Sequence, residues 1–80
     1  MKSIEKTYFT AEVDYFGMPI LGYTFDAYSM ARNVKLTLER AGIWVGDRPI
    51  EVSQINTETM MPKFTYNLWW DDTINNFVKF

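Results

Sequence analysis

The sequence predicts an α+β domain in which one helix lies across a single face of a mostly antiparallel, four-stranded sheet. Two stretches near the start alternate apolar and polar residues, and the period then changes to helical spacing at residue 29. A chain of 80 residues has room for one domain, residues 1–80. A hydrophobic content of 48% with 22% charged residues is typical of a folded globule and not of a disordered chain.

The first two strands are predicted to form an antiparallel hairpin. Odd positions from Phe9 to Tyr15 are apolar and even ones polar, which is the pattern of a half-buried strand. Phe16 to Pro19 is predicted to form the turn. In the second run the alternation assigns Leu21, Tyr23, Phe25 and Ala27 to the face toward the helix, and Gly22, Thr24 and Asp26 to the other face.

A helix is predicted from about Met30 to Ala41. Ser29 precedes it as a natural N-cap, and Gly42 follows a basic residue where a helix ends in the left-handed conformation. Apolar residues recur at three- and four-residue spacing and define one stripe, formed by Met30, Ala31, Val34, Leu38 and Ala41.

Two further strands are predicted after the helix, which gives the order β-β-α-β-β. Ile50 to Ile55 forms the third strand and Phe64 to Trp70 the fourth, with a loop between them. The segment after Asp71-Asp72-Thr73 is open between a final strand, which the pattern slightly favours, and a short C-terminal helix. Aromatic residues expected in the core are Phe9, Phe25, Phe64, Tyr66 and Trp70.

The absence of cysteine and histidine excludes most site chemistry. Disulfides, zinc fingers, Cys nucleophiles and His bases all require residues that this chain lacks. The four glycines are scattered and form no phosphate-binding loop. Asp71 and Asp72 could coordinate Mg²⁺ or do acid/base work, but a solvated turn or cap explains them better. We therefore expect no enzyme, no catalytic or metal-binding residue and no cofactor.

The charge of the chain disfavours generic nucleic-acid binding. Eight basic against ten acidic residues give a net charge of -2 and a pI near 4.9. A nucleic-acid contact through the basic helix residues Arg32, Lys35 and Arg40 is kept as an alternative. No apolar run is long enough to span a membrane, and the first residues lack the continuous apolar region of a signal peptide, so a cytoplasmic protein is expected.

One helix on one face leaves the second face of the sheet uncovered, and that face is the predicted partner-binding surface. It would mix aromatic anchors with carboxylates, as protein interfaces do. Trp69, opposite in phase to Trp70, is the best single candidate for an exposed anchor. A structural homodimer that pairs sheet edges is a further alternative. The residues predicted to bind a partner are Tyr8, Glu12, Asp14, Glu51, Trp69, Asp71 and Asp72.

In size, acidity, lack of cysteine and aromatic-rich α+β layout, the whole chain resembles small phage-encoded inhibitory proteins, the group that includes anti-CRISPRs and other host-takeover factors. The resemblance implies a stoichiometric binder that occludes a host or defence protein, in some cases by presenting acidic surface where nucleic acid would otherwise lie. Five of the predicted residues would contribute to such a surface: Glu12, Asp14, Glu51, Asp71 and Asp72.

Overall fold

The structure, a computed structural model, describes residues 6–79. The expectation about a signal peptide rests mainly on residues 1–5, which lie outside the described residues. One helix packs on a five-stranded antiparallel sheet of order β2-β1-β3-β4-β5. The elements are β1 (Thr7–Val13), β2 (Phe16–Thr24), α1 (Ala27–Arg40), β3 (Ile50–Asn56), β4 (Met61–Asp71) and β5 (Asn76–Lys79).

The predicted α+β class with one helix on one sheet face is confirmed, but the predicted four strands are one too few. The C-terminal segment forms β5, which pairs antiparallel with the last residues of β4. The alternative of a short C-terminal helix is therefore wrong. Asn75 takes a left-handed φ of 54° in the connecting turn, a conformation that asparagine tolerates better than most residues. This turn reverses the chain directly into the last strand.

The predicted turn of the first hairpin is wrong, and the error reverses the faces of β2. The chain turns at Asp14 and Tyr15, so that β2 already begins at Phe16. Gly22 lies opposite Phe9 in the register, on the face that the helix covers. Because side chains alternate along a strand, Leu21 and Tyr23 then point to the uncovered face, the reverse of the prediction.

The reversal has a steric cause at Gly22. A Cβ atom on Gly22 would lie 3.5 Å from the Sδ atom of Met30, a residue in the first turns of α1. The helix therefore passes so close to β2 that a large side chain does not fit between them. Thr24, predicted on the open face, is buried instead, and its hydroxyl donates to the Asp26 carbonyl over 2.9 Å.

The helix begins three residues earlier than predicted and is capped by a different residue. The Asp26 carboxylate accepts a hydrogen bond of 2.7 Å from the Ser29 backbone N–H, so Asp26 and not Ser29 is the N-cap. This role also removes Asp26 from the open face. The predicted ending at Gly42 is confirmed: its φ is 75°, and the N–H groups of Gly42 and Ile43 bond to Glu39 and Leu38 carbonyls.

The core lies between α1 and the central strands, and two of the predicted core aromatics lie outside it. Phe9 is buried, and Tyr66 and Trp70 are partly buried, but Phe25 is 58% exposed and Phe64 50% exposed. The helix has 14 residues and starts beyond the end of β2, so it leaves this end of the sheet uncovered. The buried hydrophobic cluster is formed by Phe9, Ala11, Val13, Ala27, Met30, Ala31, Val34, Leu38, Ile50, Val52, Leu68 and Phe77.

Within residues 6–79 the one helix, α1, is too short to cross a membrane.

Candidate functional site

The sheet face opposite the helix is left uncovered by the fold, which has one helix within residues 6–79. Strand register divides it into three rows, because directly paired residues of neighbouring strands lie on the same face. An apolar row lies toward one end, a row of hydroxyl groups across the middle, and an acidic row beyond it. These three rows, together with the Trp69–Val78 pair where β4 meets β5, form the open face.

The apolar row is built on the β1–β2 hairpin. Tyr8 pairs with Tyr23 across the hairpin, and their rings meet with centroids 4.8 Å apart and planes tilted by 46°. Leu21 lies next to Tyr23 on the same face of β2. Leu21 is 56% exposed and Tyr23 60% exposed, which gives this margin of the face an apolar strip open to solvent.

The middle row carries hydroxyl groups from three neighbouring strands. Thr10 pairs with Ser53, and Ser53 pairs with Thr65. The Ser53 and Thr65 side-chain oxygens lie 3.1 Å apart and share a hydrogen bond. Thr10 also pairs with Leu21, so this row adjoins the apolar strip on one side and the acidic row on the other.

The acidic row places two carboxylates directly opposite each other. Glu12 of β1 pairs with Glu51 of β3, and Glu51 pairs with Asn67 of β4. Within residues 6–79 neither glutamate forms a salt bridge. Like charges at directly paired positions are destabilising, since their Cβ atoms lie about 5 Å apart. A shallow cavity of about 220 Å³ lies over this row.

The remaining predicted partner-binding residues lie in different surroundings. Asp14 lines the cavity over the acidic row, but its carboxylate pairs with the Arg48 guanidinium at 2.6 Å. Trp69 pairs with Val78 on the open face and is half-buried. It therefore lies at the other end of the face from the apolar strip. Trp69 interacts with other residues of the protein and is not a free anchor.

Asp71 and Asp72 are engaged by neighbours in their own turn. Asp71 accepts hydrogen bonds from the Thr73 hydroxyl and from the Thr73 N–H, and these bonds lower the pKa of the Asp71 carboxyl. Asp72 accepts a 2.5 Å hydrogen bond from the indole N–H of Trp70. Both carboxylates thus satisfy local donors, as the turn interpretation expects. No group of three acidic side chains placed to hold a metal ion occurs among residues 6–79.

The basic residues of the helix are largely engaged within the molecule. The Lys35 ammonium lies 4.3 Å from the centroid of the Trp70 ring and 3.2 Å from a Glu39 carboxylate oxygen. Arg32 donates to the side-chain oxygens of Ser29 and Asn76 at 3.2 and 3.1 Å. Of these three basic helix residues, only Arg40 has no such contact within the described part of the chain.

Sequence reasoning placed Tyr8 and Glu12 on the open face and named Glu51 for its charge, but missed Leu21 and Tyr23. The face on which Leu21 and Tyr23 lie depends on the position of the hairpin turn. Gly17 and Pro19 favour a turn at residues 16–19, whereas the chain turns at Asp14 and Tyr15. The signal that would have placed Leu21 and Tyr23 correctly is Gly22. A glycine between large residues in a strand often marks a position where another segment of the backbone packs closely against the strand. In this fold that segment is the helix, so Gly22 would be assigned to the helix face.

No family model matches the chain, and neither the curated proteins nor the solved structures contain a significant match to it.

Proposed function

We propose that this protein is a non-enzymatic binding module that occludes a protein partner through the open face. The observation that carries the proposal is the exposed strip of Leu21 and Tyr23 beside an acidic row whose glutamates form no salt bridge within residues 6–79. An exposed apolar strip lowers the solubility of a free monomer, and the paired glutamates lower the stability of its fold. A partner that buries the strip and supplies positive charge to the glutamates would remove both unfavourable effects. We therefore assign the partner interface to this part of the open face.

The charges of the open face favour a neutral or basic partner surface. Glu12 and Glu51 would repel a second acidic surface and the phosphates of nucleic acid. They would attract lysine or arginine side chains, which also fit the adjoining hydroxyl groups of Thr10 and Ser53 as hydrogen-bond acceptors. The resemblance to small phage-encoded inhibitors supports a host or defence protein as this partner.

A symmetric dimer through the sheet edges has less support. One edge of the sheet is β2, which contains Pro19. At the other side β5 pairs only with the last residues of β4, so the start of β4 is also an edge, and it contains Pro62 and Lys63. Proline and lysine are residues that protect strand edges from pairing with another chain. A bulge in the β3–β4 pairing between Gln54 and Ile55 further disturbs this end of β4. A dimer through the open face with its twofold axis near the acidic row would place the glutamates of the two copies against each other, and their like charges would repel.

The test is affinity capture from bacterial lysate with nuclease, comparing the wild type with a Tyr23→Ser variant. We expect one nuclease-resistant protein in near-equal amount with the wild type, and its loss with the variant. Leu36→Ser is the matched control, because Leu36 is an exposed apolar residue of the helix, away from the open face. Equal capture by all three proteins, or a stable homodimer by light scattering with no other protein bound, would contradict the proposal.

A further inference from the structure

Phe25 is an aromatic side chain exposed at the junction between the sheet and the helix. It follows β2 and precedes the N-cap of α1, and it forms part of the walls of two cavities, of about 220 and 270 Å³. At 58% exposed, it is not a core residue in the described chain. No residue of the open face lines the smaller cavity, and Tyr23 is the one open-face residue that lines the larger cavity. The role proposed for the open face therefore leaves the smaller cavity and most of the larger one unexplained.

The smaller cavity is walled by aromatic rings. Phe9, Phe25, Tyr28 and Tyr66 line it, together with the amide of Gln54. Its volume of about 220 Å³ suits one planar ring of the size of a nucleobase. Aromatic side chains stack on the π-face of any base, while an amide can bond to a base edge. This composition favours a flat, polar-edged ring as occupant over an aliphatic chain.

The larger cavity, on the other side of Phe25, is cationic. Lys6 and Arg32 line it, and none of its lining residues is acidic. The Lys6 ammonium lies 5.4 Å from the centroid of the Phe25 ring, and Arg32 is held by its hydrogen bonds to Ser29 and Asn76. The two cations therefore lie beside the aromatic cavity. A negatively charged group attached to a ring in that cavity could contact them.

Two more lysines place positive charge beside aromatic rings of β4. Lys63 lies 5.6 Å from the centroid of Phe64, and Lys79 lies 5.5 Å from that of Tyr66. Lys6 precedes β1 and Lys79 lies in β5, three strand spacings across the sheet. Because Lys79 pairs with Leu68, level with Ile50, it also lies about seven residues further along the strand direction, which makes the separation roughly 27 Å. A ligand with repeated negative charges would contact more of these cations than a ligand with one.

We propose that the two cavities beside Phe25 bind single-stranded nucleic acid. One base stacks in the aromatic cavity against Phe25 and Tyr66, and its phosphate lies beside Lys6 and Arg32. The next phosphates run toward Lys79. Glu12 and Glu51 do not oppose stacking in the aromatic cavity, because they lie on the opposite face of the sheet from its Phe9 and Tyr66 walls. The Asp26 carboxylate, which does border the aromatic cavity, is turned to the Ser29 N–H.

The experiment is a fluorescence-anisotropy titration of labelled dT8 and U8 oligonucleotides at low salt. Phe25→Ser removes the stacking ring, and Lys6→Gln removes one cation. Leu36→Ser and Arg40→Gln are the matched controls, since they make the same changes at exposed helix positions. We expect Phe25→Ser to weaken binding at least fivefold and Lys6→Gln two- to fivefold, while the controls stay within twofold. Affinity should fall steeply with rising salt.

Competition with adenosine monophosphate and with a hexaglutamate peptide separates the alternative ligands. We expect both to displace dT8 only at concentrations more than tenfold higher than an unlabelled oligonucleotide does. Displacement by the mononucleotide at equal concentration would overturn the polymer as ligand, and equal displacement by hexaglutamate would show only general anion binding. The proposal is also overturned by the absence of saturable binding up to 1 mM protein, or by equal losses in Lys6→Gln and Arg40→Gln. Circular dichroism of each variant excludes unfolding as the cause.

Discussion

Glu12 and Glu51 lie directly opposite each other on neighbouring strands, with no salt bridge to either within residues 6–79. A sheet gains stability when paired positions carry opposite charges or apolar contacts and loses it when they carry like charges. The protein therefore keeps at this place an arrangement that weakens its own fold. Residues that break a local rule without a compensating contact in the free protein are characteristic of functional surfaces.

Glu51→Gln should stabilise the free protein and weaken binding of its partner. Removing one of two opposed charges relieves the repulsion, so the free energy of unfolding should rise by about 0.2–1 kcal/mol. Urea denaturation at low salt measures the change, which should shrink as salt screens the charges. Glu58→Gln in the β3–β4 loop makes the same charge change away from the face and serves as the control. A destabilised Glu51→Gln protein would show that the carboxylate has a structural role.

Lys35→Met should destabilise the fold, because it removes a charge that contacts two indole rings and the Glu39 carboxylate. The Lys35 ammonium lies over the Trp70 ring at 4.3 Å and over the Trp44 ring at 5.6 Å, so it links the helix to β4 and to the loop before β3. Methionine keeps the apolar stem but not the charge, and we expect a cost of about 1 kcal/mol. Urea denaturation followed by tryptophan emission measures it. Lys63→Met, at an exposed ring, should cost less, and equal costs would contradict a special role for Lys35.

Substitutions at Gly22 test the close approach of the helix to β2. Gly22→Ala places a methyl group 3.5 Å from the Met30 Sδ atom, which is an ordinary contact distance. The variant should be more stable by about 0.5 kcal/mol, because alanine lowers the conformational entropy of the unfolded chain. Gly22→Leu cannot be accommodated against Met30 and should destabilise by about 1–3 kcal/mol. Gly17→Leu is the control, because no heavy atom lies within 4 Å of a Cβ at Gly17. A tolerated leucine at position 22 would show that it points away from the helix.

The Asp26 cap should make part of the stability depend on pH in acid. The hydrogen bond from the Ser29 N–H lowers the pKa of Asp26 below its ordinary value of 3.8. Because the folded pKa is the lower one, the contribution is complete above the unfolded value and is lost as the pH falls through the folded value. Asp26→Ala should cost about 1 kcal/mol at pH 7.

Asp26→Asn separates the cap from its charge. Asparagine retains an acceptor for the Ser29 N–H, so this variant should keep most of the stability at pH 7. Its difference from the wild type should disappear as the pH falls below 3.8 and through the lower pKa of the folded protein, where the aspartate becomes protonated. Unfolding curves of the two proteins across this range measure the effect. A constant difference at every pH would mean that Asp26 does not titrate as a cap.

The order of the first five elements was predictable because it depends on local periodicity, whereas β5 was left open between a strand and a short helix. The faces of the side chains were not predictable where they depend on the position of a turn. The stripe of α1, its end at Gly42 and the third and fourth strands follow from spacing alone. The hairpin turn lies at Asp14 and Tyr15, which carry no strong turn signal, and a shift of one residue there moves Leu21 and Tyr23 to the other face. The position of Phe25 depends on where the helix crosses the sheet.

The candidate site was predictable in its acidic row and at Tyr8, but not at Leu21 and Tyr23. Glu12 lies in a strand whose phase is fixed by the buried Ala11 beside it, so alternation placed this glutamate correctly. Glu51 was named for its charge, and the buried Val52 beside it fixes its face in the same way. Asp71 and Asp72 are engaged by Thr73 and Trp70, which is a consequence of turn geometry that spacing does not reveal. The positions of Leu21 and Tyr23 required the register of β2.

The most direct test of the proposed function is the affinity of the isolated partner for open-face and helix variants, measured by isothermal titration calorimetry. Leu21→Ser and Tyr23→Ser should each raise the dissociation constant about tenfold or more, as truncation of an interface anchor does. Leu36→Ser, 45% exposed on the helix, should leave it within twofold. Unchanged affinity in both open-face variants, or a larger loss in Leu36→Ser, would contradict binding through the open face.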